Sequence, residues 1–185
     1  MMNKLGLKFS QWLLEGEGND EKIIISFGLQ QIKIIVINIV AFLFFSILLN
    51  AFALGICFLI IFIPLRRLAG GYHADTKIRC FFISNIIYVC NLVFVKKIYI
   101  NSFISILECL FIGIAIWMLT PVDNKNRILS FADKHRIKSK CGRYILLYES
   151  IFMVLSWLRI ESLKSLFLGV LATILVLQVI GIIKK

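Results

Sequence analysis

The chain has 185 residues, of which 60% are hydrophobic and only 17% are charged, and its formal net charge is +11. A soluble domain carries roughly 45–50% apolar and about 25% charged residues, so the composition excludes an ordinary soluble enzyme and predicts an integral membrane protein. Because little soluble mass remains to present the positive charge, nucleic acid is excluded as a partner. Anionic membrane lipid is the expected partner of part of that charge.

Residues 1–31 are predicted to lie on the cytoplasmic face of the membrane as an amphipathic region. Four apolar side chains recur there at helical spacing beside two lysines, a pattern typical of a helix lying in the headgroup plane. These residues are Leu5, Phe9, Trp12 and Leu13, with Lys4 and Lys8. After a turn at 15–20, a second helix is expected to lead from Asp20 toward the first membrane span.

Residues 32–185 are predicted to form a six-helix transmembrane core, so that the chain, 1–185, is a single membrane-embedded domain of the all-α class. Most spans approach the roughly 20 residues of helix that a bilayer requires. The six spans are 32–49, 51–65, 79–95, 99–120, 144–160 and 163–183. The second span is short and is expected to end at Pro64, and residues 121–143 are expected to form a loop.

Orientation follows from the lysines and arginines, which concentrate in cytoplasmic loops. With six spans, only four of the 21 basic residues fall on the outer side, namely Lys96, Lys97, Arg159 and Lys164. Both termini, the segment 66–79 and the basic loop are therefore predicted to be cytoplasmic. The five cysteines show no paired spacing and no CxxC motif, so we expect no metal site and no cofactor.

The most informative run is RRLAGGYHA at 66–74, followed six residues later by Cys80. His73 and Cys80 lie close together at the edge of an apolar segment, a combination typical of a thiol nucleophile and its base. On one straight helix they would lie about 10 Å apart along the axis, whereas proton transfer requires about 3 Å. The chain must therefore bend between them, and Gly70 and Gly71 permit backbone angles that other residues avoid.

His73 is predicted to lie on a loop folded over the first turns of the third span, with Cys80 on that helix. Asp75 is expected either to cap a helix beginning at Thr76 or to orient the imidazole of His73. Two cations beside the helix N-terminus would also favour the thiolate form of the cysteine, namely Lys77 and Arg79. The alternative interpretation is a tight interfacial turn, an ordinary headgroup histidine and a small cysteine that fills space.

Polar side chains also align on the third and fourth spans, where contact with lipid would disfavour them. One stripe comprises Cys80, Ser84 and Asn91, and the other comprises Asn101, Ser105 and Glu108. An ionisable group near mid-membrane is costly and marks a functional site by default. The alternative for Glu108 is a protonated carboxyl group that is hydrogen-bonded between helices.

A second histidine–cysteine pair, His135 and Cys141, lies in the predicted basic loop. This segment has no glycine bend between the two residues and no apolar wall to exclude water. We interpret the pair as structural or incidental, and we expect Cys141 to be more exposed than Cys80.

The pattern Arg66-x3-Gly70-Gly71-x-His73-Ala74-x5-Cys80, between the second and third spans, resembles the accessory gene regulator B (AgrB) family. These proteins are bacterial membrane cysteine endopeptidases that process the quorum-sensing propeptide AgrD. The N-terminal amphipathic stretch and the proline-containing basic loop after the fourth span resemble the family as well. In that loop Ile128 stands where the family has a proline.

The resemblance implies that His73 activates Cys80, which cleaves an AgrD-like propeptide, releases its acidic tail and holds the rest as a thioester. A substrate cysteine would then close a thiolactone ring. The supporting residues implied are Arg66, as a substrate or structural contact, and Gly70, Gly71, Asp75 and Ser84. The candidates for substrate binding are Arg67, Lys77, Arg79, Glu108, Lys125 and Arg127, although the positive-inside rule alone also explains the basic residues.

The resemblance places the protein in the bacterial cell membrane with its active site on the cytoplasmic side, and a homodimer is consistent with it. The main rival is a small polytopic transporter or channel in which Glu108 and the polar stripes line a path. A third alternative is a membrane scaffold without catalytic activity. Substitution of Cys80 or of Glu108 distinguishes the three.

Overall fold

A computed structural model of the chain describes residues 19–72, 76–97, 102–122 and 130–184. Within these ranges the chain forms six helices and no strand, which confirms the predicted all-α class. The helices are α1 (Asn19–Leu48), α2 (Phe52–Ala69), α3 (Lys77–Lys97), α4 (Ser102–Leu119), α5 (Phe131–Trp157) and α6 (Glu161–Ile183). The helix predicted from Asp20 is confirmed as α1, whereas the amphipathic helix predicted before it lies outside the described residues.

Three of the described helices are long and apolar enough to cross a membrane: Phe52–Ala69, Ile78–Lys96 and Glu161–Ile183. They correspond to the second, third and sixth predicted spans. The stretches Ile32–Leu48 and Phe103–Leu119 are apolar helices of 10–17 residues and correspond to the first and fourth predicted spans. The full set of six spans remains a prediction.

The chain divides into two compact units, Met1–Ala41 and Phe42–Lys185. The described part of the first unit is the greater part of α1, where the Asn38 side chain donates to the Ile34 carbonyl (2.9 Å). In the second unit α6 packs along α2, α3, α4 and α5. The candidate site described below is built entirely within this second unit.

The core of the second unit follows α6, where Leu166, Leu171 and Ile174 are fully buried. A smaller aromatic cluster surrounds Tyr88 of α3, whose ring stacks on Phe42 with centroids 4.5 Å apart. Lipid tails are as apolar as leucine, so close packing and interhelical hydrogen bonds hold such helices together, rather than apolar burial alone. Because α6 packs against α2, α3, α4 and α5, its backbone and polar side chains are placed to hydrogen-bond to the ends of neighbouring helices.

The prediction that the second span ends at Pro64 is wrong, because α2 continues past this proline to Ala69. A proline removes one backbone donor, and membrane helices tolerate this loss when neighbouring groups satisfy the freed carbonyl. The continuation places Arg66 and Arg67 in the last helical turn, where cations are favoured by the helix dipole.

The loop predicted at 121–143 is also wrong in its second half, since α5 begins at Phe131. Ser130 caps this helix, because its hydroxyl accepts a hydrogen bond from the Asp133 N–H (3.2 Å) and donates to the Asp133 carboxylate (2.8 Å). The sequence Ser-x-x-Asp is a recognised signal for the start of a helix, and here a basic stretch follows it instead of the usual apolar run. The helix continues through Gly142, so His135 and Cys141 lie on a helix rather than on a loop.

Candidate active site at the turn between α2 and α3

The chain leaves α2 through two glycines whose backbone angles other residues rarely adopt. Gly70 has φ 73° and ψ −151°, and Gly71 has φ 112°. The Gly70 conformation belongs to a region that is essentially restricted to glycine. A Cβ atom on Gly70 would also lie 2.5 Å from the Val122 carbonyl oxygen. The prediction that this glycine pair redirects the chain is confirmed.

We expect Gly70→Ala to lower the free energy of unfolding by roughly 1–3 kcal/mol, because alanine would be forced into the strained region and against Val122. Denaturation of the detergent-solubilised protein measures this change. Gly142→Ala serves as the control, since that glycine is helical and its added Cβ would meet only the Trp117 side chain, at 3.1 Å. Equal stability of the two variants would contradict a strained turn.

Arg66, in the last turn of α2, holds the backbone of this turn. One terminal nitrogen of its guanidinium donates to the Gly70 carbonyl and the other donates to the Tyr72 carbonyl. The planar guanidinium presents its donors as a rigid fork, so the two bonds fix the path of the chain into His73. Of the two roles expected for Arg66, the structure shows the structural contact.

The backbone of α6 and the segment after α4 anchor the same turn from the other side. The Tyr72 N–H donates to the Leu177 carbonyl (2.8 Å), and the Val122 N–H donates to the Ala69 carbonyl (3.1 Å). Gly181 permits this close approach, because a Cβ atom there would lie 2.5 Å from the Tyr72 nitrogen. The turn is therefore fixed by α4 and α6 as well as by its own residues.

Gln178 of α6 is a residue contacting the end of α2 that the sequence analysis missed. Its side chain is fully buried, and its amide nitrogen donates to the Ala69 carbonyl (3.1 Å), the Thr120 hydroxyl (3.0 Å) and the Ile116 carbonyl (3.4 Å). Buried polar groups in a membrane helix mark positions where helices are tied together. The lone amide side chain in the span 163–183 was the signal that could have identified this residue.

Cys80 lies on the first turn of α3, as predicted, and is half-buried. The helix begins at Lys77, one residue later than expected, and its cap is Thr76, whose hydroxyl accepts from the Arg79 N–H (3.3 Å). The Cys80 N–H donates to the Thr76 carbonyl (3.0 Å). The structure thus places the thiol close to a helix N-terminus, where the dipole favours an anion.

Several predicted site residues lie outside the described residues, namely His73, Asp75, Lys125 and Arg127, and the same holds for the side chain of Lys77. What the structure describes is the chain on either side of the histidine. Residues 70–72 and Thr76 are non-helical, so α2 and α3 are separate helices rather than one continuous rod. The approach of His73 to Cys80 remains a prediction, because residues 73–75 lie outside the described residues.

The structure gathers only some of the other predicted residues around the turn. Ser84 lies one helical turn beyond Cys80 and is half-buried, and Arg67 and Arg79 are exposed. Glu108 is exposed on the face of α4 that also bears Ile104, Leu107 and Phe111. At 1.5 Å per residue it lies about 18 Å along the helix axis from Thr120, so the structure does not bring it to the turn.

The predicted exposure of Cys141 is wrong, since its side chain is 0% exposed and contacts the Thr120 hydroxyl (3.5 Å). Burial raises the pKa of the Cys141 thiol. Cys80, by contrast, is half-buried on the first turn of α3. Among the described residues no cluster of three histidine, cysteine or acidic side chains could hold a metal ion.

A family model described as accessory gene regulator B matches residues 2–182 of the chain. A curated protein of Clostridium perfringens (strain SM101 / Type A), whose name describes it as AgrB-like, is 26% identical over 179 residues. The match covers 88% of this chain and 84% of that protein. No solved structure matches the chain.

Proposed function

This chain belongs to the accessory gene regulator B family, which acts in processing the propeptide of agr quorum sensing, and we propose that it is a membrane cysteine endopeptidase. Its substrate would be an AgrD-like propeptide whose C-terminal tail it removes. The observation that carries the proposal is the position of Cys80 on the first turn of α3, beside the turn that Arg66 clamps. A reactive cysteine needs such an electropositive, partly accessible surrounding.

In the proposed reaction, His73 takes the thiol proton and the Cys80 sulfur bonds to the scissile carbonyl carbon. The carbon–nitrogen bond then breaks, the proton passes to the leaving amine, and the tail departs. The peptide remains as a thioester until a cysteine of the substrate attacks it and Cys80 leaves as thiolate. Exchange of one thioester for another is nearly neutral in energy, so ring closure conserves the energy of the thioester bond. Hydrolysis would lose that energy, so water must be excluded from the site.

We further propose that six spans cross the bacterial membrane and that both termini and the site lie in the cytoplasm. Contacts at the two ends of the bundle support an arrangement in which successive helices cross the membrane in opposite directions. The end of α2 meets the end of α4 through Gly70 and Val122, and meets the end of α6 through Tyr72 and Leu177. At the other end, the Lys96 side chain of α3 donates to the Leu49 carbonyl in the turn after α1. The basic residues Arg66, Arg67 and Arg79 lie at the first end, and the positive-inside rule supports a cytoplasmic location for it.

The exposed cations at this end would attract an acidic tail and anionic lipid headgroups. We propose Arg67 and Arg79 as the described residues that contact the tail, together with Lys77, Lys125 and Arg127. We assign Arg66 a structural role instead, since its two terminal nitrogens bind the backbone carbonyls of Gly70 and Tyr72. The transporter alternative requires Glu108 to line an internal path, and its position among exposed apolar residues of α4 gives that alternative no support.

The direct test is co-expression with a propeptide that carries an amphipathic leader, one cysteine and an acidic tail. Mass spectrometry should detect the released tail, and an acyl group on the peptide that contains Cys80. Membranes that contain the protein but release no tail would exclude the endopeptidase, and solute flux in reconstituted vesicles would then favour a transporter.

We expect His73→Ala to slow alkylation of Cys80 by iodoacetamide about tenfold near neutral pH, because the neutral thiol reacts far more slowly than the thiolate. The rate is measured by mass spectrometry on the peptide that contains Cys80, so the other cysteines do not contribute. His135→Ala is the matched control, since His135 is the other histidine and is exposed on α5. An unchanged rate in His73→Ala would show that His73 does not activate the thiol.

A further inference from the structure

A cavity of about 760 Å³ runs between α3 and α6. Apolar side chains form most of its walls, with Ile83, Ile87 and Phe94 on α3 and Ala172, Val176 and Ile180 on α6. Tyr72 and Lys184 lie at one end, and we call this cavity the α3–α6 groove.

Asn91 and Thr173 are polar side chains of the groove wall, and each donates its hydrogen bonds to other groups of the same wall. The Asn91 side-chain nitrogen donates to the Thr173 hydroxyl (3.0 Å) and to the Ile87 carbonyl (2.9 Å). The Thr173 hydroxyl in turn donates to the Gly169 carbonyl (2.8 Å). Because these donors are already satisfied, the groove favours an apolar occupant over one that requires hydrogen bonds.

The groove is continuous with the candidate site. Ile83 and Ile87 follow Cys80 at i+3 and i+7, positions that share one face of a helix. Tyr72 immediately precedes His73, and its N–H is bound by Leu177, which also lines the groove. A peptide held on Cys80 therefore has this groove as the apolar surface next to the thioester.

The dimensions of the groove set the length of the occupant. Its α3 wall extends from Ile83 to Phe94, and the eleven helical rises between these residues span about 17 Å. An extended peptide of about five residues covers the same distance. At the end that bears Tyr72, the Lys184 ammonium group lies 4.7 Å from the centre of the Tyr72 ring, so the groove ends in positive charge.

We infer that the α3–α6 groove binds an apolar segment of the propeptide, on the side of the scissile bond that stays attached to Cys80. This inference rests on the proposed function. The charge of Lys184 at the end of the groove attracts an acidic tail, and the apolar walls disfavour it. The tail therefore remains outside while the apolar segment enters. The groove then selects substrates by the apolar residues that precede the cleaved bond.

Photocross-linking tests the assignment directly. A benzoylphenylalanine at Val176, in the groove and 55% exposed, is compared with one at Val154, on α5 outside the groove and 54% exposed. Both are placed in the full-length Cys80→Ala protein, co-expressed with the propeptide so that substrate accumulates. We expect at least tenfold more propeptide adduct at Val176 than at Val154. Equal adduct yields, or only lipid adducts at Val176, would overturn the assignment.

Tail release by the wild-type protein, measured in parallel, separates the two proposals. Tail release without a Val176 adduct contradicts the groove assignment alone, whereas failure of tail release contradicts the endopeptidase and the groove assignment together. As a second readout, Ala172→Trp fills the groove and should raise the propeptide concentration required for half-maximal tail release at least tenfold. Ala53→Trp, on an exposed position of α2, should leave it unchanged.

Discussion

We expect Cys80→Ala to reduce tail release from a co-expressed propeptide by more than about 1,000-fold, since loss of a catalytic nucleophile removes the covalent pathway. The protein should still insert into the membrane, because a half-buried cysteine on the first turn of α3 contributes little packing. Immunoblotting of the membrane fraction and mass spectrometry of the released tail give the two measurements. Undiminished tail release would remove Cys80 from the mechanism.

Three further variants make this test specific. Cys80→Ser keeps a similar side chain but replaces the thiol with a hydroxyl that hardly ionises, so it should be nearly as inactive as alanine. Cys57→Ala controls for the loss of any thiol, because Cys57 is also half-buried but lies on α2. Glu108→Gln should leave tail release intact, whereas a transporter would lose its activity with Glu108→Gln and tolerate the change at Cys80.

The local part of the site could be predicted from the sequence. The glycine pair required a positive φ or a close approach, and both are present at Gly70. The distance between His73 and Cys80 on one helix forced a break between α2 and α3, which the structure contains. These inferences succeeded because each depends on residues fewer than ten positions apart.

The parts that the sequence analysis missed depend on contacts between distant segments. The bond from Gln178 to Ala69 joins residues 109 positions apart, and a single sequence does not indicate which helix end a buried amide will meet. Glu108 and Ser105 were assigned to one stripe, yet Ser105 is buried and Glu108 is exposed, because α6 and α5 cover only one side of α4. The start of α5 is a different case, because the local signal at Ser130 was available and the many cations after it favoured a loop instead.

We expect Arg66→Lys to reduce tail release by about 10- to 100-fold, although it preserves the positive charge. The guanidinium of Arg66 binds two carbonyls at once, those of Gly70 and Tyr72, and a lysine ammonium presents no such rigid fork. The backbone that leads into His73 would lose its restraint, so the imidazole would be positioned for a smaller fraction of the time. The loss should appear in the rate at saturating propeptide, since Arg66 is a positioning residue and not a contact for the acidic tail.

Arg67→Lys is the matched control, because it changes the same residue type one position along α2 at an exposed site and should leave the saturated rate unchanged. The alkylation rate of Cys80 as a function of pH separates the two effects that Arg66 could have. If only the charge of Arg66 matters, Arg66→Lys retains both the wild-type profile and the wild-type rate of tail release. If the clamp on the two carbonyls matters, the profile loses the contribution of His73 and comes to resemble that of His73→Ala. We expect the second result, because Arg66 restrains the backbone that carries His73.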